Sequence, residues 1–320
     1  MSQQSSETSR DPLRSSWLVL VLLVMIVIPA GITLNTVRFP GTLEISNPNP
    51  TPFGYTLSLS LFIVPIIVIG GWLVPSERLA FPRRAFWWTI GLLVPVSFGL
   101  DFFFGNTFFV FPNRGATLGI GAPALGGSVP VEEYVFYLTG FSTVLLIYIW
   151  LDEFWLAAYN VPDYAAEAEK IPRLVVFHPA SLVAGLVLVA AAVIYKKVFA
   201  ADPAGFPSYF CFLVATGLVP ATGFLRTARP FVNWRAFSFA LFLIVLISLL
   251  WEATVAVPYG WWGYQPQQMM GLFIGAWSGL PIEAVCVWMA VTYATTIIFE
   301  IIKLWLASGK TAKSAFLGWE

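Results

Sequence analysis

Eight apolar stretches, each about long enough to cross a bilayer, leave this chain few ways to fold. They occupy residues 17–34, 55–74, 85–100, 134–151, 180–195, 209–225, 236–251 and 284–299. Roughly 20 residues of helix cross the ~30 Å of hydrocarbon in a membrane. With 58% hydrophobic and only 11% charged residues, the chain holds more apolar surface than a water-soluble globule can hide. The expected fold is an all-α integral membrane protein of about eight transmembrane helices. Arg10 and Arg14 give the first stretch the look of a secretory signal, but no small-x-small cleavage site follows Pro29-Ala30-Gly31, so it is read as a helix.

Lys and Arg are retained on the cytoplasmic side of short loops. An amino terminus placed inside puts thirteen of them inside and leaves only Arg38, Arg114, Lys196 and Lys197 outside. A multi-pass protein of the cell membrane with both termini cytoplasmic is expected. Zero net charge offers no basic face to nucleic acid. Cys211 and Cys286 fall inside apolar stretches and read as small core residues rather than a disulfide. His178 is the single histidine; membrane di-iron enzymes need many, so it is read as structural and no metal is expected.

Sliding the chain over itself by 151 positions aligns Arg84-Ala85-Phe86 with Arg235-Ala236-Phe237, Asp101 with Glu252, and Pro130-Val131-Glu132 with Pro281-Ile282-Glu283. Two charged positions and a Pro-x-Glu at one offset point to a duplication. The expected organisation is a polar tail (1–16), a first membrane repeat (17–151), a cytoplasmic linker (152–178) that joins the halves, a second repeat (179–305) and a short tail (306–320). Four helices per repeat give two tandem four-helix repeats of the same orientation, with a site between them.

Acids in a spanning helix cost roughly 2.5–3.5 kcal/mol each at its centre and less near an interface, so Asp101, Glu132, Glu133, Glu252 and Glu283, at the outer ends of their helices, call for a reason. A proline followed by a glutamate also starts helices well, because the carboxylate meets free amide groups at the positive end of the dipole. Recurrence at the duplicated place, each time with an upstream acid, favours function. An acid that holds a proton in apolar surroundings, with a second carboxylate to take one back, is the minimum equipment for acid-base chemistry on an uncharged substrate.

Aromatic residues make up 17% of the chain and crowd the acids: Phe102, Phe136 and Tyr137 in one half, Trp251, Trp262, Tyr264 and Trp288 in the other. Their faces attract cations, although Trp and Tyr also anchor any membrane protein at its interfaces. Arg114 either pairs with an acid or is a plain interfacial arginine. Gly119-x-Gly121 with Gly126 follows no strand and is spaced wrongly for a dinucleotide, and the aspartate-rich motifs that hold magnesium and diphosphate are missing.

The segment Pro130-Val131-Glu132-Glu133-Tyr134-Val135-Phe136-Tyr137, preceded by Gly119-Ile120-Gly121, resembles the Pro-x-Glu-Glu-x-x-Phe-Phe signature of the membrane lycopene cyclase domain, known from bacterial two-subunit and fungal fused enzymes. The likeness covers about residues 85–151, and more loosely 236–305. It implies closure of the acyclic ends of a carotenoid polyene within the bilayer by protonation, cyclisation of the cation and loss of a proton, without net redox change. By resemblance Glu132 and Glu133 carry the acidic motif and Glu283 its second copy, where Ala284 replaces the duplicate of Glu133. Asp101 and Glu252 are expected to tune or relay protons. No cofactor is called for, although a reduced flavin leaves no fingerprint to judge by. Expected partners are the apolar substrate, membrane lipids, and a second copy or neighbouring carotenoid enzymes. Hydration of the same cation, cyclisation of another apolar terpenoid, and a proton-coupled transporter or lipophile carrier are the alternatives. Against transport, no span shows an obvious glycine and proline break.

Overall fold

The computed structural model describes residues 51–76, 80–161, 168, 170–171 and 173–318. The tail at 1–16, the span expected at 17–34, and Arg10, Arg14, Arg38, Arg78, Asp163, Glu167 and Glu169 lie outside the described residues. Seven described helices are long and apolar enough to cross a membrane: α1 (Gly54–Leu73), α2 (Arg83–Phe108), α3 (Val131–Trp155), α4 (Ala180–Phe199), α5 (Ser208–Ala228), α6 (Trp234–Ala256) and α7 (Ile282–Ala307). Each contains one of the apolar stretches named above, apart from a residue at the end of α1. A short α8 (Ala312–Leu317) follows, capped by the Thr311 hydroxyl, which accepts the Ser314 N–H at 3.1 Å.

The helices differ in how much protein surrounds them. In α3, 67% of the apolar window is buried, in α6 and α7 50%, and in α1 and α4 only 17%. The first three therefore form the centre, and α1 and α4 lie outermost among the described residues, exposed along most of their length. At one end of the bundle α3 meets α7 through the Tyr148 and Phe299 rings, 6.1 Å apart. Next to them Asp152 Oδ2 lies 3.7 Å from Lys303 Nζ, and the Tyr148 hydroxyl donates to Glu300 Oε1 at 2.7 Å. Pairing of this kind lowers the cost of holding charge in a spanning helix.

Several spans are not uniform α-helices. In α1 the backbone widens to π geometry over Ile66–Leu73, directly after Pro65. In α5 it does so over Val214–Leu218, just before Pro220. Proline lacks the N–H that continues the ladder, and the bonds re-form one residue further on. Helix interruptions that were not obvious as glycine and proline breaks are present in this milder form.

The opposite end of the bundle is closed by three two-stranded antiparallel sheets. β1 (Phe109–Val110), following α2, pairs with β4 (Gly263–Tyr264), following α6, in the register Phe109↔Tyr264 and Val110↔Gly263. β2 (Gly121–Ala124) and β3 (Gly127–Pro130) form a hairpin before α3, and β5 (Phe273–Ile274) and β6 (Leu280–Pro281) form one before α7. Gly126 takes φ +83 in the first of these turns, a conformation open to glycine at no steric cost.

The described ends of the 152–178 segment do more than join the two halves. Leu174 and Val175 are buried, and the Val175 N–H donates to Ala315 O at 2.9 Å. The Asn233 amide reaches Leu156 O at 3.1 Å while its side-chain oxygen accepts the Ala236 N–H and starts α6. His178 donates its backbone N–H to Gly223 O at 2.8 Å. Both cysteines are free and half-buried.

Candidate functional site

The two Pro-x-Glu segments are held in matching ways. Each proline ends a hairpin strand and is followed by the first turn of a central helix. The Val131 N–H donates to Ile120 O and the Ile282 N–H to Leu272 O, both at 2.9 Å. Glu132 Oε1 accepts the backbone N–H of Leu118 at 2.7 Å, and Glu283 Oε1 that of Met270 at 2.5 Å. Each glutamate thus reaches back over its own hairpin and ties the loop to the helix. Glu132 receives a further bond from the Thr56 hydroxyl of α1 at 2.5 Å. The second oxygens of Glu132 and Glu283 have no hydrogen-bond partner among the described residues.

Glu133, one residue on, points elsewhere. Its Oε1 accepts from the Tyr55 hydroxyl of α1 at 2.5 Å, and its carboxyl lines a cavity under the β1–β4 sheet. Glu252 of α6 lines the same cavity. Glu252 accepts from Trp288 Nε1 at 2.7 Å and from the Tyr264 hydroxyl of β4. Burial first, and the neighbouring Glu252 second, push the Tyr264 phenol well above its ordinary value, so it is a standing donor at neutral pH. The helix widens to π geometry over Glu252–Ala256, whereas Asp101 sits in regular α-helix.

The cavity encloses about 650 Å³ of free space, its open mouth included. Its walls are aromatic. Trp251 and Trp262 meet at 4.6 Å between ring centroids, Tyr55 and Trp262 at 4.9 Å, and Phe136 and Trp288 edge to face at 5.5 Å. No Lys or Arg is among the lining residues. A positive charge inside would meet ring faces, each worth roughly 0.5–2 kcal/mol to a cation, and carboxylates in place of water.

Asp101 lines an adjoining cavity of about 780 Å³, mouth included, between α2, α5 and α7. Its Oδ1 accepts weakly from the Tyr137 hydroxyl at 3.4 Å, and Oδ2 has no partner among the described residues. Gly105 one turn later has to be small, since a Cβ there would lie 2.8 Å from Asp101 Oδ1. Asp101 with Tyr137 and Glu252 with Trp288 are acid-donor pairs at the same offset of 151 in the chain.

The structure thus sorts the five acids. Glu133 and Glu252 share one cavity, Asp101 lines the next, and Glu132 and Glu283 hold loops and line neither. Arg114 is exposed and forms no ion pair among the described residues. Sequence reasoning passed over Tyr55 and Tyr209, which line the first cavity, because a tyrosine opening an apolar stretch reads as an interfacial anchor. It also passed over Glu300, fully buried beside Tyr148; a glutamate directly after an apolar stretch with Lys303 one turn later was the available signal. No metal-binding group of three His, Cys, Asp or Glu occurs among the described residues. No family model matches the chain, and no curated protein or solved structure is significantly similar to it.

Proposed function

We propose that this chain is a membrane-embedded carotenoid cyclase of the lycopene type, closing an acyclic polyene end by acid-base catalysis with no net change of redox state. The observation that carries the reading is the placement of Glu133 and Glu252 on one aromatic cavity whose lining holds no Lys or Arg. One carboxyl gives its proton to the terminal double bond, and the next double bond attacks the resulting cation to form the ring. The other carboxyl removes a proton from a carbon beside the new cation, restoring a double bond. Trp251, Trp262 and Phe136 face the cation on the way, and an apolar cavity keeps water from capturing it. In this reading Glu132 and Glu283 support the site by holding the hairpins above it.

The matched hairpins, the matched Glu132 and Glu283 bonds and the two acid-donor pairs support an origin by tandem duplication, with β1 and β4 as equivalent strands meeting at the shared axis. The halves then differ at one decisive place, since Ala284 stands where the first half has Glu133. Ten described Lys and Arg gather at the end of the bundle opposite the hairpins and only Arg114, Lys196 and Lys197 at the hairpin end, which supports a cytoplasmic carboxyl terminus.

The test is expression in a bacterium that accumulates lycopene, with pigments separated and weighed by mass spectrometry. A product of unchanged mass and shifted absorption is expected, and Glu133→Gln should remove it while leaving the protein in the membrane. A gain of one water moves the assignment to a hydratase. Untouched lycopene overturns it.

A further inference from the structure

The adjoining cavity has a shape the reaction alone does not explain. Its wall runs along α2 from Leu93 to Phe108, along α5 from Tyr209 to Gly217 and along α7 from Val287 to Ala294, which at ~1.5 Å per residue is about 22, 12 and 10 Å of helix, a cleft that follows the helices. Of its twenty lining residues only Ser97, Asp101, Tyr137, Tyr209 and Thr216 carry a polar side-chain atom. Three of these are occupied locally or by each other: Tyr137 donates to Asp101 and Thr216 to Phe212 O at 2.8 Å.

Six residues line both cavities: Phe109, Tyr137, Phe141, Tyr209, Val287 and Val291. The two spaces are therefore neighbours across a wall one side chain thick. Towards the hairpin end the gap between α2 and α5 is closed by the Phe104 and Phe212 rings, 5.9 Å apart, and by Phe108 against Tyr209 at 4.9 Å. Further along, small residues face the space: Ser97 on α2, Gly217 on α5, Ala290 and Ala294 on α7. Val96 and Thr216 at the rim are exposed on the outer surface of the bundle among the described residues.

We infer that this second cavity is a chain-binding channel, entered from the hydrocarbon of the bilayer between α2 and α5, that holds the isoprenoid chain of a substrate whose end reacts in the first cavity. The inference rests on the reading of Glu133 and Glu252 as the reacting site. An apolar polyene is concentrated in the bilayer, and a channel open to lipid lets it load sideways without crossing water. Tyr137, Phe141 and Tyr209 form the partition past which the end group is fed. Ser97, Gly217 and Ala290 set the width, so the channel takes a thin acyclic chain.

The probe is the geranylgeranyl ether of 4-hydroxybenzophenone, photoactivated with the full-length protein in detergent and mapped by peptide mass spectrometry. Adducts are expected on α5 and α7 around Phe212, Thr216 and Ala290, competed by lycopene. Ser97→Trp, which fills the channel, and Thr216→Trp, which blocks its rim from the tolerant lipid side, should each lower labelling at least tenfold. Glu133→Gln should label like the wild type. Adducts scattered over lipid-facing helices, or yields unchanged in both Trp variants, overturn the channel. Wild-type labelling as described without conversion of lycopene upholds the channel and refutes the cyclase reading alone.

Discussion

A single residue step separates the two jobs found at the start of α3. Glu132 turns back to the hairpin and Glu133 turns into the cavity, because neighbours in a helix point about 100° apart. Their amides should therefore behave differently. Glu133→Gln keeps the shape and loses the transferable proton, and conversion should fall at least 100-fold, the usual worth of a general acid or base. Glu132→Gln keeps an acceptor for the Leu118 N–H, and its main expected effect is a loss of stability of about 1–2 kcal/mol, the range for a disturbed buried hydrogen bond, read as a lower midpoint of thermal unfolding in detergent. Equal loss of activity in both variants at equal stability would put Glu132 back in the chemistry. Tyr55→Phe removes one bond from Glu133 and should slow conversion about tenfold with lycopene uptake intact. The acids were legible in the sequence because charge stands out at the edge of apolar stretches. Which acid faces which space was not, since that depends on one rotation per residue and on where α1 and β4 set their tyrosines.

Among the elements, the spans were legible and their ends were not. Hydropathy ended the third stretch at Leu100, yet α2 continues to Phe108 because Asp101 is answered by Tyr137 and the chain has no reason to stop there. The last stretch ends at Phe299, yet α7 continues past Glu300 to Ala307 for the same reason, with Tyr148 as the partner. The hairpins left no alternating pattern, since strands of two to four residues rich in glycine and proline are too short to show one. Close helix packing gives another test. A Cβ on Gly223 of α5 would lie 2.0 Å from the Phe177 ring, so Gly223→Val must push the 173–178 segment off the bundle. Overpacking of this size costs about 1–3 kcal/mol, and the thermal midpoint should drop by a few degrees. An unchanged midpoint would mean that the segment is loosely held.

For the whole molecule, the central fact is that no half contains the site. Tyr55 and Glu133 precede residue 161, while Glu252, Tyr264 and Trp288 follow residue 173. The two parts are joined by β1 with β4, by α3 with α7, and by the Asp152 and Lys303 pair. Spanning helices find each other by packing and polar contacts rather than by chain connection. A gene split between residues 161 and 168 should therefore yield two fragments that are inactive alone and restore conversion when expressed together. Activity in either fragment alone would show that one half suffices. The widened turn at Glu252–Ala256 carries a consequence in the arithmetic of insertions and deletions. A π turn holds one residue more than the α turn it replaces, and Glu252 is linked to a tyrosine 12 positions on. Deleting Ala253 would close the turn and pull β4 along by one residue. In a strand that exchanges the two faces, putting the Gln265 side chain where the Tyr264 hydroxyl had met Glu252. The count from Glu252 to Tyr264 has no residue to spare.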